Sequence, residues 1–331
     1  MSPMIERVDP QLVKLLQEFP AIELRSAGDL GTARARVDQM IKDMTVPLPE
    51  DVERSEVLIP CPCGAPKVRT LIYLPRGAKG PLPVVLYFHG GGMIMGRPEF
   101  ADAYNASLSS RYSCAVVAPD YRKAPEAPWP KAVEDGYAVL TWLSGSDTRA
   151  IGLQPASISL FGESGGGGIA AGLALLARDR GLRAIGGLAL NAPMLDDKTG
   201  SERNVEEADD GFLWTATQNR IAWGLIKSAG FDTTECPIPA EARDLSGLPQ
   251  TFLYVGQLDL FLRENLRWTE RLALAGVPIE LHVYPRAYHG FELAANAAVA
   301  KAAISQLEGF WERIFRQSRE VSRRTRGSTI V

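Results

Sequence analysis

Residues 157–168 read SISLFGESGGGG, and the fold turns on how this stretch is understood. A strand-like run, Ser157–Phe161, leads into Gly162-Glu163-Ser164-Gly165-Gly166, and an Ala/Leu-rich stretch suited to a helix continues from residue 165 to about 178. The pentapeptide is G-x-S-x-G, the pattern of a nucleophile elbow, in which a strand bends sharply into a helix and exposes a serine at the bend. In a chain with 31 glycines the pattern alone is weak. The strand before it and the helix after it sharpen it. A bend this tight strains the backbone at the serine, and Cβ atoms two positions to either side would strike neighbouring chain. The helix beginning at Gly165 also aims free N–H groups at any anion forming beside Ser164. A phosphate loop competes for the same glycines, but the segment has no G-K-[ST] and no lysine.

Outward from the elbow, strand-like runs at Val84–His89, Ala115–Ala118, Gly187–Asn191, Thr251–Val255 and Ile279–Tyr284 alternate with helical stretches. The helical stretches are 99–112, 131–144, 165–178, 263–275 and about 296–317. Short, nearly continuous apolar strands between helices predict an α/β fold with a parallel sheet covered on both faces. Val57–Ile59 and Val68–Leu74, joined by the CGAP turn at 63–66, predict an opening hairpin that makes the sheet mixed. Two regions break the rhythm. Residues 1–50 carry amphipathic helical stretches such as Leu12, Leu15, Leu16 and Phe19. Residues 195–248 begin polar (DDKTGSERNVEEADD) and turn helical around Trp214–Lys227. Both are read as a cap above the strand ends, where an α/β sheet gathers its loops. The division is then cap 1–50, core 51–194, cap insertion 195–248, core 249–317 and a basic tail 318–331.

The totals restrict the partners. Hydrophobic residues make up 46% and charged residues 23% of the 331 residues, and the net charge is −3. Those values fit a soluble globular chain and point to neither nucleic acid nor an anionic membrane. Arg313, Arg316, Arg319, Arg323, Arg324 and Arg326 make a basic end, read as a helix running into a solvated tail. The longest apolar run, Ile169–Ala177, is too short for a bilayer. Glu6, Asp9, Lys14 and Glu18 stand where a signal peptide would be apolar, so the expectation is cytoplasmic. Cys61, Cys63, Cys114 and Cys236 form no disulfide framework. Cys61-Pro62-Cys63 lacks a second ligand pair and reads as a turn beside a strand, so no metal is expected.

His89-Gly90-Gly91-Gly92 follows another apolar strand. Acyl transfer passes through a tetrahedral oxyanion that needs preorganised donors. Glycines let main chain approach closely, so the N–H groups of Gly91 and Gly92 are expected to act with that of Gly165. The base must come from three histidines: His89, His282 and His289. His89 belongs to the glycine loop and His282 lies inside a strand, which leaves His289, in a loop before the last helix. Asp259 follows the preceding strand and is the expected acid, with Glu264 on the next helix and Asp244 before the strand as competitors. Glu163 either tunes the elbow or bonds cap or loop backbone, with the structural reading favoured, and Asp120 and Glu126 are read as loop braces through ion pairs. Met93, Phe212, Trp214 and Trp223 are expected to line the acyl pocket.

HGGG at 89–92, DYRKAPE at 120–126, GESGG at 162–166, the Asp259 turn and HGF at 289–291 together resemble the hormone-sensitive-lipase-like family of α/β-hydrolases, as in bacterial carboxylesterases. The matching motifs run from about residue 80 to 295. The resemblance implies an eight-stranded, mostly parallel sheet under a helical cap, no cofactor, and oxyanion donors at Gly91, Gly92 and Gly165. It implies a serine carboxylesterase that hydrolyses short-acyl esters, a small-molecule substrate, through an acyl-enzyme on Ser164. A homodimer paired through an edge strand occurs in similar proteins. An amidase of the same fold is the alternative reaction. Plant gibberellin receptors resemble the family and bind ligand without the catalytic histidine, whereas His289 is present here. Three departures stand out: Glu163-Ser164-Gly165 for the commoner Asp-Ser-Ala, Lys123 for leucine, and Arg286 where glycine is common.

Overall fold

The computed structural model describes residues 5–19, 22–44, 46–61, 65–78, 81–145, 148, 153, 155–182, 185–201 and 211–327, with side chains as far as residue 318. Its strands are β1 (Val52–Ile59), β2 (Val68–Pro75), β3 (Leu82–Phe88), β4 (Ala115–Pro119), β5 (Pro155–Glu163), β6 (Ile185–Asn191), β7 (Thr251–Gly256) and β8 (Ile279–Tyr284). They form one sheet in the order β1-β2-β4-β3-β5-β6-β7-β8. β2 runs antiparallel to both neighbours, and every pairing from β4 to β8 is parallel. The mixed sheet and its opening hairpin match the reading of the sequence.

The helices are α1 (Val13–Glu18), α2 (Leu30–Asp43), α3 (Asp102–Tyr112), α4 (Lys131–Ser144), α5 (Gly165–Asp179), α6 (Ala216–Ile226), α7 (Leu262–Leu274) and α8 (Ala298–Gly327). The central strands are apolar at most positions because both faces are covered. On β3, Val84, Leu86 and Phe88 enter one core with Leu140 of α4, Leu173 of α5 and Trp268 of α7. Val85 and Tyr87, pointing the other way, enter a second core with Leu108 of α3 and Leu307 and Trp311 of α8.

Two boundaries differ from expectation. β1 begins at Val52 rather than Val57, because Glu53, Arg54 and Glu56 stand on an edge strand with a solvated face, and charge conceals its alternation. α8 continues through Gly327 instead of ending near 317 and absorbs residues expected in the tail. Cys63 and Gly64 of the expected turn, 202–210 of the insertion, 328–331 and the side chains of Arg319, Arg323, Arg324 and Arg326 lie outside the described residues. Among the described residues, no helix is long and apolar enough to cross a membrane.

The N-terminal segment and the insertion meet. Gln218 of α6 donates to the Ile22 carbonyl at 2.8 Å. Arg34 of α2 donates to the carbonyls of Ile94 (2.7 Å) and Ala124 (2.8 Å) and pairs with Glu126 at 2.7 Å. Asp120 pairs with Lys123 at 2.6 Å, so both acids of the DYRKAPE stretch hold loops in place.

Candidate active site

At the end of β5 the backbone of Ser164 takes φ 52° and ψ −120°, a conformation costly for any residue with a Cβ. It persists because the surroundings over-determine it. Ser164 N–H donates to Asn191 O at 2.9 Å, and the Ser164 carbonyl accepts from Gly167, Gly168 and Met194. A Cβ at Gly162 would strike the backbone of Gly166, and one at Gly166 would strike the carbonyls of Phe88 and His89. These are the collisions the glycine pattern anticipates.

The loops after β7 and β8 bring the other two groups in. Leu258 N–H donates to Ala287 O at 2.8 Å, and a Cβ at Gly256 would meet that same carbonyl, so the loops lie against each other. His289 Nε2 lies 3.0 Å from Ser164 Oγ, and its Nδ1 lies 2.8 Å from Asp259 Oδ2. Asp259 Oδ1 accepts from Phe261 N–H at 2.8 Å, which fixes the buried carboxylate. Burial alone would lower the His289 pKa, but the charge and hydrogen bond of Asp259, with smaller contributions from Glu292 and Glu163, raise it above the usual value. The competing acids are engaged elsewhere. Asp244 is exposed and accepts from Ser246, and Glu264 is buried and accepts from Leu195 N–H at 2.6 Å and from Thr199.

The glycine loop lies against the start of α5. Gly91 and Gly92 have φ of 114° and 60°, and a Cβ on Gly165 would come within 2.9 Å of Gly92 N. His89 holds this loop and is not free to act as base. It stacks on Tyr121 with ring centroids 4.3 Å apart, and its Nδ1 lies 2.6 Å from Gly90 O. Burial, aided by Lys123, holds its pKa down at about 3. Tyr121 also donates to the His89 carbonyl at 2.8 Å. His282 sits on β8 beside Glu280, at 2.8 Å.

A largely apolar cavity of about 470 Å³ opens on Ser164 and His289. Its roof includes Phe19, Ile22, Val37, Met40 and Trp214, and its inner end reaches Tyr104, Tyr254, Ile304 and Leu307. Of the four expected pocket residues only Trp214 is in the wall. Met93 turns beneath the loop against Gly168, Phe212 packs on the Tyr288 ring at 5.6 Å, and Trp223 is on the buried stripe of α6. The missed residues of α2 have a signal in the sequence: its buried stripe, Leu30, Ala33, Val37, Met40 and Ile41, repeats at helical spacing. Glu292, also in the wall, carried none.

The α/β-hydrolase fold family matches residues 85–293. Carboxylesterase NlhH of Mycobacterium tuberculosis is 32% identical over 307 residues, covering 91% of this chain and 93% of its own length. Gibberellin receptor GID1A of Arabidopsis thaliana is 32% identical over 225 residues, 65% of this chain and 64% of its own. Among solved structures, a bacterial heroin esterase superposes with a TM-score of 0.84 at 31% identity, covering 94% of this chain and 98% of that one.

Proposed function

The chain belongs to the α/β-hydrolase fold family, in its hormone-sensitive-lipase-like branch, and we propose that it hydrolyses short-acyl carboxylic esters through an acyl-enzyme on Ser164. One observation carries this reading: the continuous line from Ser164 Oγ through His289 to Asp259, at 3.0 and 2.8 Å. Asp259 holds the proton on Nδ1, which leaves Nε2 to accept the serine proton. As Oγ bonds to the ester carbonyl carbon, His289 becomes imidazolium and the carbonyl oxygen becomes an anion facing Gly91, Gly92 and Gly165 N–H groups. Collapse of this intermediate expels the alcohol, which takes the proton from His289. Water then repeats the attack on the acyl-enzyme, with His289 again as base, and releases the acid. Each oxyanion donor of this kind contributes about a hundredfold or more in rate.

The apolar cavity suits the hydrocarbon parts of a small ester, and residues 1–50 with 195–248 act as the cap that encloses it. A receptor-like role without turnover is disfavoured by an imidazole already bonded to both partners. We place the enzyme in the cytoplasm, with β8 as the edge through which two copies would pair; its Val283 is exposed. Hydrolysis of p-nitrophenyl esters from acetyl to decanoyl, with Ser164→Ala alongside, tests the function. Turnover peaking at short chains, and lost at least about a thousandfold in the variant, is the expected result. Equal turnover in both proteins would remove Ser164 as nucleophile.

A further inference from the structure

On the α3/α8 side of the sheet, the apolar rows give way to a polar row at the level of Ser164. Register places Glu163 of β5 opposite Asn191 of β6, and Asn191 opposite Tyr254 of β7. Residues in register project to the same face, and one step down that face are Phe161, Ala189 and Phe252. The Asn191 amide donates to Glu292 Oε1 at 2.7 Å, and its side chain stands next to Glu163 across the β5–β6 register. Tyr87 donates to Glu163 Oε2 at 2.6 Å. One amide therefore stands between two carboxyl groups, one adjacent in sequence to Ser164 and the other three residues after His289. Both line the cavity beside Ser164 and His289. Glu292 Oε2 is buried with no hydrogen-bond partner among the described residues. The acyl-transfer steps make no use of either group.

We propose that Glu163 and Glu292, on either side of Asn191, are positioning residues that act through His289, forming a second acidic centre that, with Asp259, sets how readily the imidazole holds a proton. The consequence for rate rests on the acyl-transfer reading above; the effect on His289 itself does not. Burial raises both carboxyls, Glu163 to about 7, and the charge of Glu292 adds to the rise of Glu163. Two acids beside one amide titrate as a pair, the second proton leaving against the charge of the first. Tyr87 on β3, Tyr254 on β7, Tyr104 on α3 and Tyr288 from the His289 loop also face this centre. Burial holds these phenols above their usual value, hence neutral. Asp259 adds a like charge that resists ionisation of Glu292, and His289 favours ionisation of both. α8 contributes Ile304 and Leu307 to the cavity wall. Negative charge on the pair thus favours imidazolium, the form His289 takes in each transition state.

With only three histidines, nuclear magnetic resonance of protein labelled with ¹⁵N-histidine can read His289 directly. His89 does not titrate near neutrality, because burial holds it at about 3, and His282 lies apart on β8 beside Glu280. Glu292→Gln and Glu163→Gln each keep an oxygen beside Asn191 but lose the charge. The His289 pKa should fall by at least about half a unit in each. The acid limb of kcat/KM should move to lower pH by the same amount, while the plateau kcat falls about threefold or more. Should Glu163→Gln fail to fold beside the strained serine, Glu292→Gln carries the test alone. A His289 pKa unchanged in a folded variant overturns the proposal, whatever happens to stability. A shifted His289 in proteins that turn over no ester would sink the esterase reading and leave this coupling standing.

Discussion

Ser164, Asp259 and His289 stand just past the ends of β5, β7 and β8, strands locked together through β6 by backbone ladders. Phe19, Ile22, Val37 and Met40 hang above them on segments tied down by side chains. Those ties include Gln218 to Ile22, Arg34 to Ile94 and Ala124, and the Tyr288 hydroxyl to the Leu12 carbonyl at 2.9 Å. A ladder loses nothing when one side chain is changed, so substitutions on the floor should alter chemistry at constant fold. The roof is held largely by single side chains, each worth about 1 kcal/mol per net hydrogen bond. Its substitutions should alter how substrate is enclosed.

The sharpest test of the floor is Asp259→Asn. An amide cannot stabilise imidazolium, and it can donate to Nδ1 and so select the wrong tautomer. kcat should fall about 10³- to 10⁴-fold with the melting temperature little changed. A loss of fold matching the loss of rate would mean that the floor is not independent of its side chains. Gly92→Ala probes where roof and floor touch. Gly92 has φ 60°, and its absent Cβ would lie in the Trp214 ring. Displacing the loop should cost about a hundredfold in kcat. Replacing Trp214 by Ala as well should restore part of it only if the ring, rather than the backbone angle, is the obstacle. Acidity acts on the floor alone. Because Asp259, Glu292 and Glu163 outweigh burial and raise the His289 pKa above 6.5, the base is protonated and inactive below that raised value. kcat/KM should therefore drop about tenfold per pH unit below it. A flat profile from pH 5 to 8 would remove histidine from the mechanism.

The same contrast explains what could be read in the sequence. β3 to β7 are apolar nearly throughout and bounded by turns, so their residues announce a two-faced buried sheet. The meeting of Ser164, Asp259 and His289 was legible because strand ends place loops and only three histidines compete. Side-chain direction on short segments was not. Trp223 and Trp214 are equally aromatic, but Trp223 falls on the Ala216, Asn219, Ala222, Ile226 stripe of α6 and faces the core, while Trp214 precedes the helix and reaches the cavity. Glu163 looked structural because its partner Asn191 is a neighbour by strand register rather than by sequence. Glu292 gave no signal, since a glutamate after HGF has no period or motif to place it.

Arg286 joins the two regions, and its replacement is the gentlest test of how far they are separable. It sits in the His289 loop with φ 58°, a conformation that explains why glycine is common there. Its guanidinium donates to the carbonyls of Arg7 (3.1 Å), Glu6 (2.8 Å) and Val8 (2.8 Å), and its own carbonyl accepts from Asp9 N–H at 3.0 Å. Arg286→Gly removes the three guanidinium bonds but relieves about 1 kcal/mol of left-handed strain. Arg286 is exposed, where each bond contributes at the low end of about 0.5–1.5 kcal/mol, so net stability should change by about 1 kcal/mol or less. The Asp9 bond survives, because glycine keeps the carbonyl, and so does the backbone path to His289. KM should therefore rise about threefold, most for the longer acyl chains that need the roof, with kcat nearly unchanged. Limited proteolysis should cut the N-terminal segment faster. Were kcat to fall instead while KM held, the guanidinium would be aligning His289 rather than the roof, and floor and roof would be one unit at this point.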